Sequence, residues 1–265
     1  MRLKQCLFVY LGIALLSAVA GCGPTRDAGQ RQTAKSVAEA DYKTPPQVTS
    51  VRMIAGQFEV FGTASPLAAV RLARPTAPAG QGLADKSGHW VIRLPRATQT
   101  EIYGVSETIS GRQLQASGYL LVTQDGLGVI LRAGTGAVVL SPSNPARIAA
   151  LDIDREGGAV VSGFGPPGIR ISARVDGTKL GEARVDPQGR FVLPLTGPVN
   201  LGSHVLRVFG DGIDSALTME ATQVLPLQTS PYRATAIGPA LRVDWMTPGG
   251  GEQTTWVYGQ DGGGS

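Results

Sequence analysis

The 265-residue chain is long enough for two small domains or one large one, and its 42% hydrophobic share excludes a wholly disordered polypeptide. Only 17% of residues are charged, against roughly 25% in an average soluble domain, while 36 glycines and 18 prolines favour turns over helix interiors. Two cysteines and two histidines leave little material for a metal cage, a thiol nucleophile or a disulfide framework, and the net charge of +4 comes without the basic stripe of a nucleic-acid reader.

The chain opens with Arg2 and Lys4, followed by an apolar run from Cys6 to Ala20. A basic start, a short apolar segment and small residues at its end predict a secretory leader over residues 1–21. Leu7 to Gly21 is only 15 residues, too short for the roughly 20 that cross a bilayer. The run ends in Val19-Ala20-Gly21-Cys22, which resembles the lipobox of bacterial lipoproteins. That resemblance implies cleavage between Gly21 and Cys22, lipidation of Cys22 with fatty acids such as palmitate, and attachment to the membrane through the N-terminal lipid. Gly23 stands where the family's inner-membrane retention signal has Asp, so the resemblance implies an outer-membrane address, with the periplasmic or surface face left open. Losing Arg2 and Lys4 from the 24 basic residues, against 20 acidic, lowers the charge from +4 to +2.

Residues 22–47 read as the lipidated cysteine and a flexible tether, polar and unpatterned and ending in Thr44-Pro45-Pro46, with a short helix over Ala34 to Tyr42 as the alternative. As a random coil such a segment spans roughly 25–30 Å.

Two copies of one pattern follow. Shifted by 101 residues, Val60 meets Val161, Gly62 meets Gly163, Gly80 meets Gly181, Asp85 meets Asp186, Gly88 meets Gly189 and Leu94 meets Leu195, without a gap. Asp186-Pro187-Gln188-Gly189 has the residues of a type I turn, and Asp85-Lys86-Ser87-Gly88 has the same ends. Each turn leads into an alternating strand: Trp90, Ile92 and Leu94 in one copy, Phe191, Leu193 and Leu195 in the other. Ile169 to Val175 alternates before the hairpin signal Asp176-Gly177, and Val70 and Leu72 hold the matching places in the first copy. Further strands are predicted at Phe58–Thr63, Ala159–Gly163, His204–Gly210 and Leu217–Leu225. The fold class is all-β, built as antiparallel sandwiches.

After each copy the sequence predicts a separate hairpin, either extending its domain's sheet or forming an exposed ledge. Tyr119–Thr123 and Val129–Leu131 flank Gln124-Asp125-Gly126, with a third strand at Ala137–Leu140; Ala240–Met246 and Gln253–Tyr258 flank the glycine-rich turn at Thr247. Trp245, Trp256 and Tyr258 make the last hairpin aromatic, either as core against the second domain or as an exposed contact for a partner or glycan. Gln260-Asp261 and the glycine-serine end that follows read as a disordered tail over 260–265.

Val161-Ser162-Gly163, Pro166-Pro167-Gly168, Asp176-Gly177, Leu180-Gly181-Glu182-Ala183 and Asp186 to Phe191 together resemble bacterial immunoglobulin-like (Ig-like) repeats. The likeness covers Gly158 to Leu225 in the second copy and Gln57 to Leu94 in the first, after which the first copy drifts. It implies two tandem Ig-like β-sandwich domains, each with its hairpin, over 48–145 and 146–259.

Catalytic patterns fail one by one. Gly163-Phe164-Gly165-Pro166-Pro167-Gly168 has dinucleotide-loop spacing but carries two prolines and leads into a strand, not a helix. Asp152, Asp154 and Glu156 resemble the opening of a calcium loop, yet the twelfth position is Gly163 where a Glu is required. His89 and His204 lie far apart without cysteines, and no Gly-x-Ser-x-Gly elbow occurs. The expectation is an anchored, non-enzymatic scaffold or binding module with no catalytic residue, no metal and no cofactor, presenting its domains to an envelope protein; a carbohydrate-binding adhesin or matrix anchor is the alternative, and a hydrolase a distant third. No nucleic-acid partner is expected.

Overall fold

The computed structural model describes residues 43–140, 145–223 and 226–259. Gly21, Cys22, the leader, nearly all of the tether and the 260–265 tail lie outside the described residues, as does the end of the strand expected to reach Leu225.

The described residues contain strands and no helix. The first sandwich is made by β1 (Gln47–Ile54), β2 (Gln57–Thr63), β3 (Ala69–Arg74), β4 (Ala77–Leu83), β5 (His89–Pro95), β6 (Glu101–Ile109) and β7 (Arg112–Val122), followed by β8 (Gly128–Leu131) and β9 (Val138–Leu140). The second is made by β10 (Arg147–Asp154), β11 (Ala159–Phe164), β12 (Arg170–Val175), β13 (Thr178–Arg184), β14 (Arg190–Pro194), β15 (Gly202–Gly210) and β16 (Ile213–Ala221). The chain then adds β17 (Tyr232–Ile237), β18 (Ala240–Met246) and β19 (Glu252–Tyr258). The fold is therefore all-β, two tandem Ig-like sandwiches with a strand extension on each.

Strand order states the topology. In the first sandwich the sheet β1-β2-β5 faces the sheet β4-β3-β6-β7-β8-β9. In the second, β13-β12-β15-β16 faces β14-β11-β10-β19-β18-β17. The 101-residue shift carries β3 onto β12, β4 onto β13 and β6 onto β15 end for end, well past Leu94 where sequence likeness fades. Even the irregularity in the third-to-fourth strand ladder recurs, between Leu72 and Ala73 and between Ala173 and Arg174.

The repeated turns and glycines have physical causes. Asp85 Oδ1 accepts from the backbone N–H of Ser87 and His89, and Asp186 Oδ1 accepts from those of Gln188 and Arg190. Asp176 and Gly177 have φ of 49° and 82°, the left-handed pair of a type I′ turn. Gly62 pairs across the ladder with Trp90, and Gly163 with Phe191. A Cβ on Gly62 would lie 2.1 Å from Trp90 Cζ2, and one on Gly163 would lie 2.7 Å from Phe191 Cζ and 2.1 Å from the Arg147 carbonyl oxygen. The aromatic ring occupies the space of the missing side chain. Gly163→Ala is expected to destabilise the protein by about 2–3 kcal/mol, read as a lower denaturation midpoint, because backbone and a buried ring must both shift. Gly197→Ala meets only an ordinary 3.7 Å contact and is expected to change the midpoint little.

Two expectations are corrected. The hairpin after the first copy is not separate: Tyr119–Thr123 belongs largely to β7, one long strand that closes the sandwich and then pairs with β8. The C-terminal element is not a two-stranded hairpin, because β17 pairs with β18 as a third strand. The extensions also attach differently. β8 and β9 widen the sheet at β7, whereas β19 pairs with β10 on the opposite sheet of its sandwich. Their physical role is the same. Ile130, Val138 and Leu140 pack into the first core, while Trp256, Tyr258 and Ala240 pack into the second.

The outer faces of the two extended sheets meet in a third core. Ile102, Leu121, Val129, Leu131, Ala137 and Val139 of the first sandwich pack with Ala149, Ala150, Phe164, Val243, Trp245 and Val257 of the second. Strand alternation sets this up, since Leu120 and Val122 point into the first core while Leu121 points into the seam. Residues 148–151 (Ile-Ala-Ala-Leu) are buried throughout because β10 lies between its own core and the seam.

Candidate functional site

The seam holds polar groups as well as apolar ones. Asp152 on β10 is almost fully buried there. Its Oδ2 accepts from the Ala137 N–H at 2.6 Å, and its Oδ1 accepts from Gln253 Nε2 at 2.9 Å and the Thr255 hydroxyl at 2.5 Å. Ser162 donates to the Ala137 carbonyl at 2.7 Å, the Gly134 N–H donates to Gln253 Oε1 at 3.1 Å, and Trp245 Nε1 donates to Thr255 Oγ1 at 3.0 Å. The loop between β8 and β9 is thus hydrogen-bonded directly to the second sandwich. Burial pushes the Asp152 carboxyl above its ordinary value, and the donors from Thr255, Ala137 and Gln253 pull the other way without overcoming it.

Asp244 on β18 shows the opposite balance. Burial alone would raise it, but Arg233, Thr254 and Arg242 all donate to its oxygens and hold it below the usual carboxylate range. Arg242 also bonds Thr222 and Gln223, fixing the start of the crossing from β16 to β17.

At one end the seam opens into a cleft of about 460 Å³, within the size range of small-ligand sites, which favour domain interfaces. Its walls include Arg74 and Tyr119 from the first sandwich and Pro231, Tyr232, Trp245 and Pro248 from the second. Tyr119 meets Trp245 edge-to-face, with ring centroids 5.9 Å apart at 90°. Arg74 Nη1 lies 3.6 Å from Glu101 Oε1, and Glu101 is nearly buried. The Tyr232 phenol is pushed up first by burial and then by Glu101, against a bond to the Ile102 backbone, so it stays protonated and able to donate. Behind it, burial takes the Tyr103 phenol to about 12. Aromatic faces, three proline rings, phenols and one guanidinium make a surface suited to holding a ligand.

The terminal aromatics are not an exposed platform. Trp245, Trp256 and Tyr258 retain 1%, 5% and 5% of their accessible surface. The hairpin splits them, with Trp256 and Tyr258 in the second core and Trp245 in the seam. Core packing against the second domain holds for Trp256 and Tyr258, and the exposed partner or glycan contact weighed beside it is corrected: alternation on β18 and β19 gives both faces something to bury. Only Trp245 reaches the cleft, as part of its floor.

Other singled-out residues are kept apart. Asp154 Oδ1 accepts from the N–H groups of Glu156 and Gly158, closing a turn, while Asp152 is committed to the seam. Among the described residues no cluster of three or more His, Cys, Asp or Glu could hold a metal ion. Gly163 to Gly168 forms the end of β11 and a turn. His204 Nδ1 lies 2.7 Å from Asp176 Oδ2 and its Nε2 lies 2.8 Å from the Asn200 carbonyl oxygen. Both ring nitrogens face acceptors, so the imidazolium is favoured and its pKa is raised, chiefly by the Asp176 bond. The contribution to stability is present below the unfolded histidine pKa and lost as pH rises through the folded one. NMR titration is expected to place His204 above 6.5, with Asp176→Asn moving it down.

Sequence reading missed Arg74, Tyr119, Tyr232 and the seam role of Asp152. One signal was present: residues 148–151 are apolar on both alternating faces, the mark of a strand covered twice.

The chain matches no family model and no curated protein. Among solved structures it is similar to the BSP domain of a biofilm-associated protein, at 12% identity and a TM-score of 0.24, covering 69% of this chain and 30% of that one. It is also similar to the central fibronectin-III array of a RIM-binding protein, at 12% identity and a TM-score of 0.26, covering 78% of this chain and 72% of that one. Neither likeness bears on what this chain binds.

Proposed function

We propose that this protein is a non-enzymatic, lipid-anchored binding module of the bacterial outer envelope, held by Cys22 and presenting the seam cleft to an envelope protein. The observation that carries the reading is the preformed aromatic cleft between two sandwiches joined by a shared core. A site on rigid strands binds without the cost of ordering its walls. Prolines and aromatic faces suit an extended peptide segment, with Arg74 available to a carboxylate. The lipobox residues support the anchor.

The same aromatic walls favour a saccharide as the second reading, since sugar rings stack on such faces. One experiment separates the two. Met246 lines the cleft and is 40% exposed, so a photo-crosslinking residue placed there reports the occupant in the native envelope. A discrete protein adduct, absent when the same residue replaces exposed Leu201, is the expected result. A polysaccharide adduct would establish the second reading, and no cleft-specific adduct would contradict both. In parallel, radiolabelled palmitate incorporation is expected to disappear in Cys22→Ala; incorporation that survives would refute the anchor.

A further inference from the structure

A second pocket, of about 240 Å³, lies at a different place from the aromatic cleft, between β1, the β7–β9 extension and the start of β14. Its character is set by two guanidinium groups. Arg132 comes from the first sandwich and Arg190 from the second, and both line the pocket. Arg132 is held in place: its Nε donates to the Gly136 carbonyl at 2.9 Å and its Nη2 to the Thr135 carbonyl at 3.2 Å. Its stem runs beside Gly118, where an added Cβ would lie 3.0 Å from Arg132 Cγ and 2.4 Å from the Leu131 carbonyl oxygen. The missing side chain at Gly118 leaves the room that this stem occupies.

Arg190 is anchored only through its backbone, whose N–H donates to Asp186 Oδ1 at 2.8 Å. Its guanidinium makes no hydrogen bond or ion pair with any described residue. Burial disfavours the charge on Arg132 most, Asp152 favours it and offsets part of that cost, and Arg190 adds a smaller repulsion. The described residues around this pocket include no carboxylate, while Ser117 and Gln47 add a hydroxyl and a carboxamide. Two guanidinium groups from different sandwiches lining one pocket, with a hydroxyl and a carboxamide beside them and no carboxylate in its wall, describe a site open to an anion.

We infer that this pocket binds a phosphate group. Planar guanidinium forks match a tetrahedral, multiply charged oxyanion, and one such group would relieve the repulsion between Arg132 and Arg190. Because the two arginines come from different sandwiches, the bound phosphate would also tie the two together. The phosphate is either free in solution or the terminal phosphomonoester of a larger envelope molecule; the pocket's chemistry is the same for both.

The test uses the full chain, melted in inorganic phosphate, in glycerol phosphate and in chloride at matched ionic strength. A saturable rise in Tm of about 5 °C over chloride is expected in inorganic phosphate. Arg190→Gln is expected to abolish that rise while leaving the Tm in chloride unchanged or higher, because no bond is lost and a repulsion is removed. Arg190→Lys, which keeps the charge without the fork, is expected to retain part of it. A rise of equal size with glycerol phosphate assigns the site to a phosphomonoester, and a rise with inorganic phosphate alone assigns it to the free ion. No rise in the wild-type chain, or an equal rise in Arg190→Gln, would overturn the proposal. Titration calorimetry of the wild-type chain with inorganic phosphate provides a reading independent of the variants, with no saturable heat as the contrary result.

Discussion

Replacing Trp245 with alanine is expected to cost about 3–5 kcal/mol and to split one cooperative thermal transition into two. The side chain keeps 1% of its surface, sits edge-to-face on Tyr119 of the other sandwich, and donates from Nε1 to Thr255. Truncation removes the largest apolar contribution to the seam and frees the Thr255 end of the polar network. The cavity opens between the sandwiches and not within either core, so each core remains intact while their coupling is lost. Differential scanning calorimetry reads both effects. The inward neighbour Trp256→Ala makes the contrast, since it damages the second core directly and is expected to lower that sandwich's own transition.

Asp152→Ala is expected to destabilise the protein by about 3 kcal/mol. Its removal leaves the Ala137 N–H, the Gln253 amide and the Thr255 hydroxyl without their acceptor inside a buried seam. Asp152→Asn tests the charge separately from the contacts. Burial raises the folded pKa of Asp152 above its ordinary 3.8, so the folded state binds this proton more tightly than the unfolded chain. The contribution of the group to stability therefore grows as pH falls through the folded pKa. Asp244 has the reverse sign: its pKa is lowered, so its contribution is present above the unfolded carboxylate pKa and lost as pH falls through the folded one. Urea unfolding across the acid range is expected to show the wild type gaining on Asp152→Asn as pH falls. A gap that moves the other way would show that the hydrogen bonds outweigh burial.

The fold was legible where local chemistry repeats. Asp85 and Asp186 announce their turns because one carboxylate oxygen collects two backbone donors in each copy. Gly62 and Gly163 mark strands because a ring on the neighbouring strand fills the space above them. The seam was far less legible, because its residues are distant in sequence and individually ordinary. Leu121, Val139 and Val243 read as any half-buried strand residue; nothing local says that their outward faces meet. The first copy drifts after Leu94 for this reason. Ile102 and Ser203 occupy matching places on β6 and β15, but Ile102 is covered by the second sandwich and Ser203 faces solvent. Asp152 was misleading in a different way. Beside Asp154 and Glu156 it suggested oxygen ligands for calcium, and only its donors from β19 and from Ala137 reveal a carboxylate that joins two sandwiches.

The preformed cleft depends on the shared third core, and residual dipolar couplings of backbone amides test that core most directly. Couplings from β1–β9 and from β10–β19 are expected to fit one alignment tensor, with equal magnitude and orientation in the frame of the structure. Two tensors of different magnitude for the two sets would mean that the sandwiches move independently, and would contradict a shared core.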